Sequence, residues 1–309
     1  MKVGVIGAGA MGGLFGGLLA QTGNEVTLID VWQEAVDSIN KNGLRMESKF
    51  RESQTIRIPA TGIPSKIGPM EFVIVLVKSF DTEASVRSAH SMIASDTTVL
   101  TLQNGLGNAD RIAAIIGKKH VLVGLTYNSA TVLGPGHIFH AGQGKTLIGE
   151  LDGRITTRLH QVVDLFNKAG IETAPSPNVL NEVWTKLAMN ASTLPTSALL
   201  RFYAGQLIEH VGTVNLMRSL LRETVAVANA QGMPLDEDER WEAITGACKR
   251  SAGAKASMLQ DIEKGRRTEI DVVNGAVVSA GRDLNIPTPY NEAMVSLIKS
   301  LEETFDCRT

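Results

Sequence analysis

The sequence predicts an α/β protein in two parts: a doubly wound sheet domain over residues 1–175, then an all-helical domain over residues 176–309. Three observations carry this. In the first half, short continuous β-branched runs alternate with amphipathic segments, the pattern of parallel strands buried on both faces. A glycine-rich turn, "GAGAMG", joins the first of these runs to the first helix. Strand-like runs then stop at "PSPN", where Pro175 and Pro177 mark a boundary and the remainder reads as helices.

Taken in order, "KVGVIG" is the first strand, followed by a helix from about Met11 to Gln21, the strand "EVTLID", another helix, and the strands "EFVIVLV" and "TTVLTLQ". After "VLVGLTYNSATV" the pattern changes to "GPGHIFHAGQGKTLIGE". There, turn residues separate two short alternating strands, most simply a hairpin added at the sheet edge. A helix near residues 155–168 and the strand "GIETA" close the domain. Residues 178–304 read as helices broken at "QGMPLDEDE", "EKGRR" and "NIPTPY".

"GAGAMG" has the G-x-G-x-x-G spacing in Gly7, Gly9 and Gly12, with Ala8, Ala10 and Met11 between them. The first glycine permits the tight turn, the second lets the backbone approach a pyrophosphate, and the third lets helix and strand pack closely. The helix N-terminus then offers unpaired N–H groups to the anion. Asp30 ends the second strand about twenty residues later, where an acid holds a ribose 2′-hydroxyl. Loop, strand context and acid together predict a Rossmann-type dinucleotide site. A carboxylate there repels a 2′-phosphate, and Val31, Trp32 and Gln33 bring no arginine, so charge favours NADH over NADPH. Lys78, ending the "FVIVLVK" run, is either a counterweight at the ligand crevice or a solvated lysine at a strand end.

The formal net charge is -2, with acids and bases interspersed. This implies no nucleic-acid or membrane-surface partner and suits a small-molecule ligand. Cys248 and Cys307 form neither a disulfide framework nor a metal-ligand spacing, which fits a reducing cytoplasm. The lysine and apolar run at the start could pass for a signal peptide, but its glycines interrupt the required apolar helix. No run approaches the roughly twenty apolar residues that span a bilayer. Apolar helices late in the chain suit either a homodimer surface or completion of the helical core.

Four segments carry candidate chemistry. Asn104 in "LTLQNGLGN" follows a buried strand, either at the ligand crevice or in a simple Asn-Gly turn. Lys186 and Asn190 in "EVWTKLAMN" stand four apart and so share one helix face, early in the first helix after the junction. The alternative is a surface lysine. In "SMLQDIEKGRRTEID", Ser257 opens a short helix. Thr268 and Glu269 read equally as the N-cap and first-turn acid of the next helix. His137 and His140 in "GHIFH" point to opposite faces of a strand and make no metal pair.

"GAGAMG", "NGLG", "WTKLAMN" and "SMLQDIEKGRRTEIDVVNG", in that order over nearly the whole chain, resemble the ketopantoate reductase (2-dehydropantoate 2-reductase) family. The resemblance implies a 6-phosphogluconate-dehydrogenase-like fold with the active site between the domains. It implies reduction of a 2-keto acid with NADPH, for pantothenate synthesis. By position, Lys186 is then the general acid and Glu269 binds and orients substrate. Asn104 and Asn190 lie in the active site, and Ser257 binds substrate.

Three positions depart from the family pattern. Leu194 stands where a second asparagine usually precedes proline, and Ala254 where an asparagine often precedes "SMLQD". Asp30 with Val31 replaces the arginine common among NADPH users. Two other functions fit parts of the sequence. β-Hydroxyacid dehydrogenases also place lysine and asparagine four apart, but with a glycine-rich turn that "NVLNEVW" lacks. A non-catalytic dinucleotide sensor would not need both Lys186 and Glu269.

Overall fold

The computed structural model describes residues 1–305, so Cys307 lies outside the described residues. By backbone contact the chain divides into two units. One comprises Met1–Gln103 with Asn108–Val179; the other comprises Asn104–Gly107 with the chain from Leu180 onward.

The first unit is built on an eight-stranded sheet. β1 (Lys2–Ile6), α1 (Ala10–Ala20) and β2 (Glu25–Ile29) open it, and α2 (Gln33–Asn42) follows. Next come β3 (Leu44–Ser48), β4 (Gln54–Ile56), β5 (Ala60–Thr61), β6 (Met70–Val75), α3 (Thr82–Ser88), β7 (Ile93–Thr101), α4 (Asn108–Ile116) and β8 (Val121–Thr126). β9 (Ser129–Gly134), β10 (His137–Gly142), β11 (Thr146–Glu150), α5 (Thr157–Lys168) and β12 (Thr173–Pro175) complete it. The strand order is β12-β11-β8-β7-β6-β1-β2-β5. β1 pairs in parallel with both β2 and β6, so strand order reverses direction between β1 and β6, the position where open α/β sheets bind ligands. Val3, Val5, Leu28, Phe72, Ile74 and Leu100 are buried along these central strands, as their unbroken apolar runs require.

The edge hairpin predicted from "GPGHIFHAGQGKTLIGE" is not what forms. β10 pairs antiparallel with the preceding β9 and parallel with β3, in a separate four-stranded sheet ordered β4-β3-β10-β9. β11 instead joins the large sheet, antiparallel to β8. The turn at Gly134–Gly136 separates β9 from β10, while "GQG" lets the chain change sheets. A strand's period reveals its faces but not which sheet receives them.

The small sheet explains the glycine pairs of α1. A Cβ at Gly16 would lie 2.6 Å from Leu28 Cδ2 on the large sheet, and one at Gly12 only 1.7 Å from the Gly7 carbonyl oxygen. On the other side, a Cβ at Gly13 would lie 3.3 Å from Ile138, and one at Gly17 3.1 Å from Leu44. The helix is packed closely on both faces, and the paired glycines give it room.

The second unit contains α6 (Val179–Leu200), α7 (Val211–Ala230), α8 (Glu237–Arg250), α9 (Ser257–Glu263), α10 (Asn274–Asp283) and α11 (Pro289–Glu303). Trp184, Leu187, Ala188 and Ala191 of α6 share a core with Met217, Leu221, Ile244 and Val277. A smaller core joins Ala198, Met258, Ile262, Ile270 and Ile298, with Leu194 against it. Cys248 is buried, which pushes its thiol pKa up. Among the described residues no helix is long and apolar enough to cross a membrane. One helix start differs from expectation. α10 begins at Asn274, and Glu269 lies in the preceding turns, where the Ile270 N–H donates to Thr268 Oγ1 (3.2 Å) and the Val273 N–H to the Glu269 carbonyl (3.2 Å). Thr268 therefore caps a turn and not a helix.

Candidate active site

The glycine-rich loop leaves β1 at the point where strand order reverses. Gly7 has φ +98°, and a Cβ there would lie 2.8 Å from the backbone of Leu76 and Val77, just beyond β6. Its N–H donates to the Ile29 carbonyl (2.7 Å), tying the loop to the end of β2. Gly9, which caps α1, is different: a Cβ there would meet nothing within 4 Å. The protein itself does not demand glycine at that position, whereas close approach by a ligand does. Ala10 and Met11 open α1, whose first turn contains no acid, leaving its N–H groups in a field favourable to an anion.

Asp30 is bound into this loop. Its Oδ2 accepts from the Ala8 N–H (2.7 Å) and its Oδ1 from the Trp32 N–H (2.9 Å). The carboxylate is thus both a negative charge at the strand end and a strut for the loop. Lys78 is half-buried three residues beyond β6 and caps a 3₁₀ turn at Ser79–Asp81. It follows immediately on the Leu76–Val77 backbone that packs against Gly7.

The second unit brings other candidates together. Lys186 is half-buried on α6, and its Nζ donates to Asn104 Oδ1 (2.9 Å). Burial pulls the lysine pKa down from 10.5 to about 8, against the attraction of Glu269, which raises it. Asn104 reaches this position because Gly105 adopts φ +83° and the Leu106 N–H donates to the Val272 carbonyl (3.0 Å). The loop 104–107 is therefore held against the turns that carry Glu269.

A small cavity beside these groups is lined by Asn104, Leu194, Ser257, Asp261, Glu269 and Val273, among others. Its lining includes neither Lys186 nor Asn190. Asn190 is buried on α6, one turn beyond Lys186. Ala254 also lies outside the lining, exposed in the segment before α9, with its carbonyl accepting from the Ala204 N–H (3.1 Å). Asp261 is a lining residue that the sequence reading did not single out. The signal was its place four residues after Ser257, on the same face of α9. A shallower depression near Asn229, Pro234 and Asp236 contains none of the candidate residues.

The two histidines of β10 have other partners. His137 Nε2 lies 3.0 Å from Glu47 Oε1, and His140 Nε2 lies 3.1 Å from the Gly142 carbonyl. Burial lowers the His140 pKa. Among the described residues no group of three or more His, Cys, Asp or Glu side chains could hold a metal ion.

Comparison with known proteins adds a lineage to this geometry. The sequence model described as "Ketopantoate reductase PanE/ApbA" matches residues 3–153, and that of its C-terminal part matches residues 178–302. The 2-dehydropantoate 2-reductase of Streptococcus pyogenes serotype M6 is 32% identical over 303 residues, 98% of each chain. That of Pyrococcus horikoshii is 32% identical over 306 residues, again 98% of each chain. Among solved structures, a PanE/ApbA family ketopantoate reductase from Ralstonia eutropha JMP134 superposes with a TM-score of 0.91 at 32% identity, covering 98% of this chain and 99% of that one. A D-mandelate dehydrogenase solved with NADH and anilino(oxo)acetate gives a TM-score of 0.94 at 28% identity, covering 99% of both chains. Both halves of the sequence match, and the chain belongs to the ketopantoate reductase PanE/ApbA family of oxidoreductases.

Proposed function

We propose that this protein reduces a small 2-keto acid with NADH, Lys186 serving as the general acid. The carrying observation is Lys186 itself, held to Asn104 and near Glu269 with its pKa lowered to about 8. Bound nicotinamide supplies the hydride. Hydride arrival at a keto carbon places negative charge on the oxygen, which the Lys186 ammonium stabilises and then protonates. Asn104 Oδ1 orients the ammonium, and the Glu269 carboxylate favours its charged form. Below pH 8 the lysine holds its proton; above pH 8 it progressively loses it.

Ketopantoate is the leading substrate, by likeness to relatives named 2-dehydropantoate 2-reductase. The carboxylates of Asp261 and Glu269 and the hydroxyl of Ser257 in the cavity lining suit its hydroxyl group. Leu194 favours a second reading, because it gives the same lining an apolar wall where the family pattern has an amide. That wall suits a keto acid with an apolar side chain, and the likeness to a D-mandelate dehydrogenase supports it. The test is NADH oxidation with ketopantoate and a panel of branched and aromatic 2-keto acids, followed from pH 6 to 10. Turnover is expected, with kcat level below pH 8 and falling about tenfold per unit well above it. Absence of turnover with every keto acid removes the reductase reading, and a flat profile removes Lys186 as the acid.

Asp30 supports NADH over NADPH by charge, and the D-mandelate dehydrogenase neighbours were solved with NADH. Asp30→Asn removes the charge while keeping one acceptor for the backbone N–H groups. The ratio of kcat/KM for NADH to that for NADPH is expected to fall roughly tenfold, the effect of about 1–2 kcal/mol of lost repulsion near a protein surface. An unchanged ratio overturns the charge argument. A parallel loss with both cofactors assigns Asp30 to the loop alone.

A further inference from the structure

α6 contains a proline in its interior, Pro195. Proline has no N–H to donate four residues back, so the Ala191 carbonyl is denied its ordinary helical partner. Ala191 is fully buried, where water cannot substitute. The missing donor comes from another helix: Asn274 Nδ2, itself fully buried at the start of α10, donates to the Ala191 carbonyl at 2.9 Å.

The direction of that amide is imposed from further away. Glu223 on α7 accepts from the backbone N–H groups of Tyr290 (2.9 Å) and Asn291 (2.9 Å) and from Asn291 Nδ2 (2.7 Å). A carboxylate only accepts, so the NH₂ of Asn291 must face Glu223 and its Oδ1 must face the other way. That Oδ1 accepts from Asn274 Nδ2 at 2.9 Å. Both of its neighbours being acceptors, Asn274 must present its NH₂ to each. Its own Oδ1 is then left buried without a hydrogen-bond partner. Buried amide oxygens are seldom left so, which marks the donor end as the one the fold requires.

Asn274 also directly follows 269–273, the turns that carry Glu269 and hold loop 104–107 through Val272. We infer that Asn274 is a positioning residue: its amide supplies the hydrogen bond that Pro195 withholds, and so fixes the Lys186-bearing helix against the turns that carry Glu269 and support Asn104. The positional half of this inference rests on the reductase reading above; the hydrogen-bond half does not.

The test is a double-mutant cycle of Asn274→Ala and Pro195→Ala, read by Tm and by the pH dependence of kcat. Pro195→Ala restores a backbone N–H to serve Ala191 within the helix, so it should rescue the loss of Asn274. Asn274→Ala alone is expected to lower Tm by several degrees and kcat by roughly tenfold or more, and in the Pro195→Ala background by less than a third of each on a logarithmic scale. With Asn274→Ala, the falling limb of kcat should move upward from about pH 8 as Lys186 loses burial, a change that simple loss of stability does not cause. Additive effects on Tm overturn the inference. Coupled Tm values with an unmoved limb overturn its positional half. If the unsubstituted protein shows no limb near pH 8, the lysine reading fails, and the Tm cycle alone decides on Asn274. Should Asn274→Ala fail to fold, the double variant must fold for the inference to stand.

Discussion

Lys186→Met is expected to lose roughly 10²–10⁴ of kcat while melting no lower than the unsubstituted protein at pH 7. On the proposed function, that loss follows from removing a general acid whose proton and charge both act on the developing oxyanion. The gain that offsets it follows from linkage. The folded-state pKa of Lys186, about 8, lies below the 10.5 of an ordinary lysine. A lysine depressed on folding destabilises the folded state wherever it is protonated, so its cost is fully present below pH 8 and is relieved as pH rises from 8 toward 10.5. Methionine keeps the apolar stem and carries no charge to desolvate, so the variant escapes that cost at pH 7, although it also takes from Glu269 a neighbouring positive charge. Single-turnover kinetics and thermal melts decide it. A protein retaining its kcat has another acid, and a Tm several degrees lower at pH 7 would mean that the ammonium stabilises the fold.

Gly105→Ala should do comparable damage without touching a reacting group. With φ at +83°, an alanine carries a left-handed penalty of about 1–2 kcal/mol before any contact is considered. Its Cβ would lie 2.3 Å from the Val272 carbonyl oxygen and 2.6 Å from Val272 Cγ2, a backbone obstacle that no rotamer change removes. The loop must therefore lift from Val272 and give up the Leu106 N–H to Val272 bond. We expect a loss of about 3 kcal/mol or more in stability, and a fall in kcat of roughly 10² as Asn104 is displaced from Lys186. Denaturant melts and kcat/KM measure both. A variant that kept its rate would show that Asn104 does not orient the lysine.

The sequence made the large sheet legible because buried parallel strands announce themselves as unbroken β-branched runs, and the helical half because its breaks at "QGMPLDEDE", "EKGRR" and "NIPTPY" contain strong turn residues. The small sheet was not legible. β3 and β4 are short, and β10 reaches β3 across some ninety residues of sequence, a pairing no local period can encode. That Lys186 and Asn190 stand one turn apart on α6 was readable from their spacing. The pairing of Lys186 with Asn104 depends on contact across 82 positions. The start of α10 was misplaced because Thr268 and Glu269 have the composition of a capped helix, and only the turns that follow show a different use. Asn274 falls within the "SMLQDIEKGRRTEIDVVNG" stretch, but its bond to Ala191 was not legible, since it depends on contact across 83 positions and on a proline 79 positions earlier.

The paired glycines of α1 have a consequence for cofactor affinity. Four of its eleven residues are glycine, and each costs a free helix about 1 kcal/mol relative to alanine, so the segment has little tendency to be helical alone. Its order is borrowed from the two sheets that enclose it. The N–H groups at its start are therefore only as fixed as the small sheet is closed, and Leu44, Ile56 and Ile138 govern them from the far side of the helix. Hydrogen exchange in α1 and in the small sheet should rise and fall as one cooperative unit, and a loosened small sheet would weaken anion binding through the entropy of the loop alone.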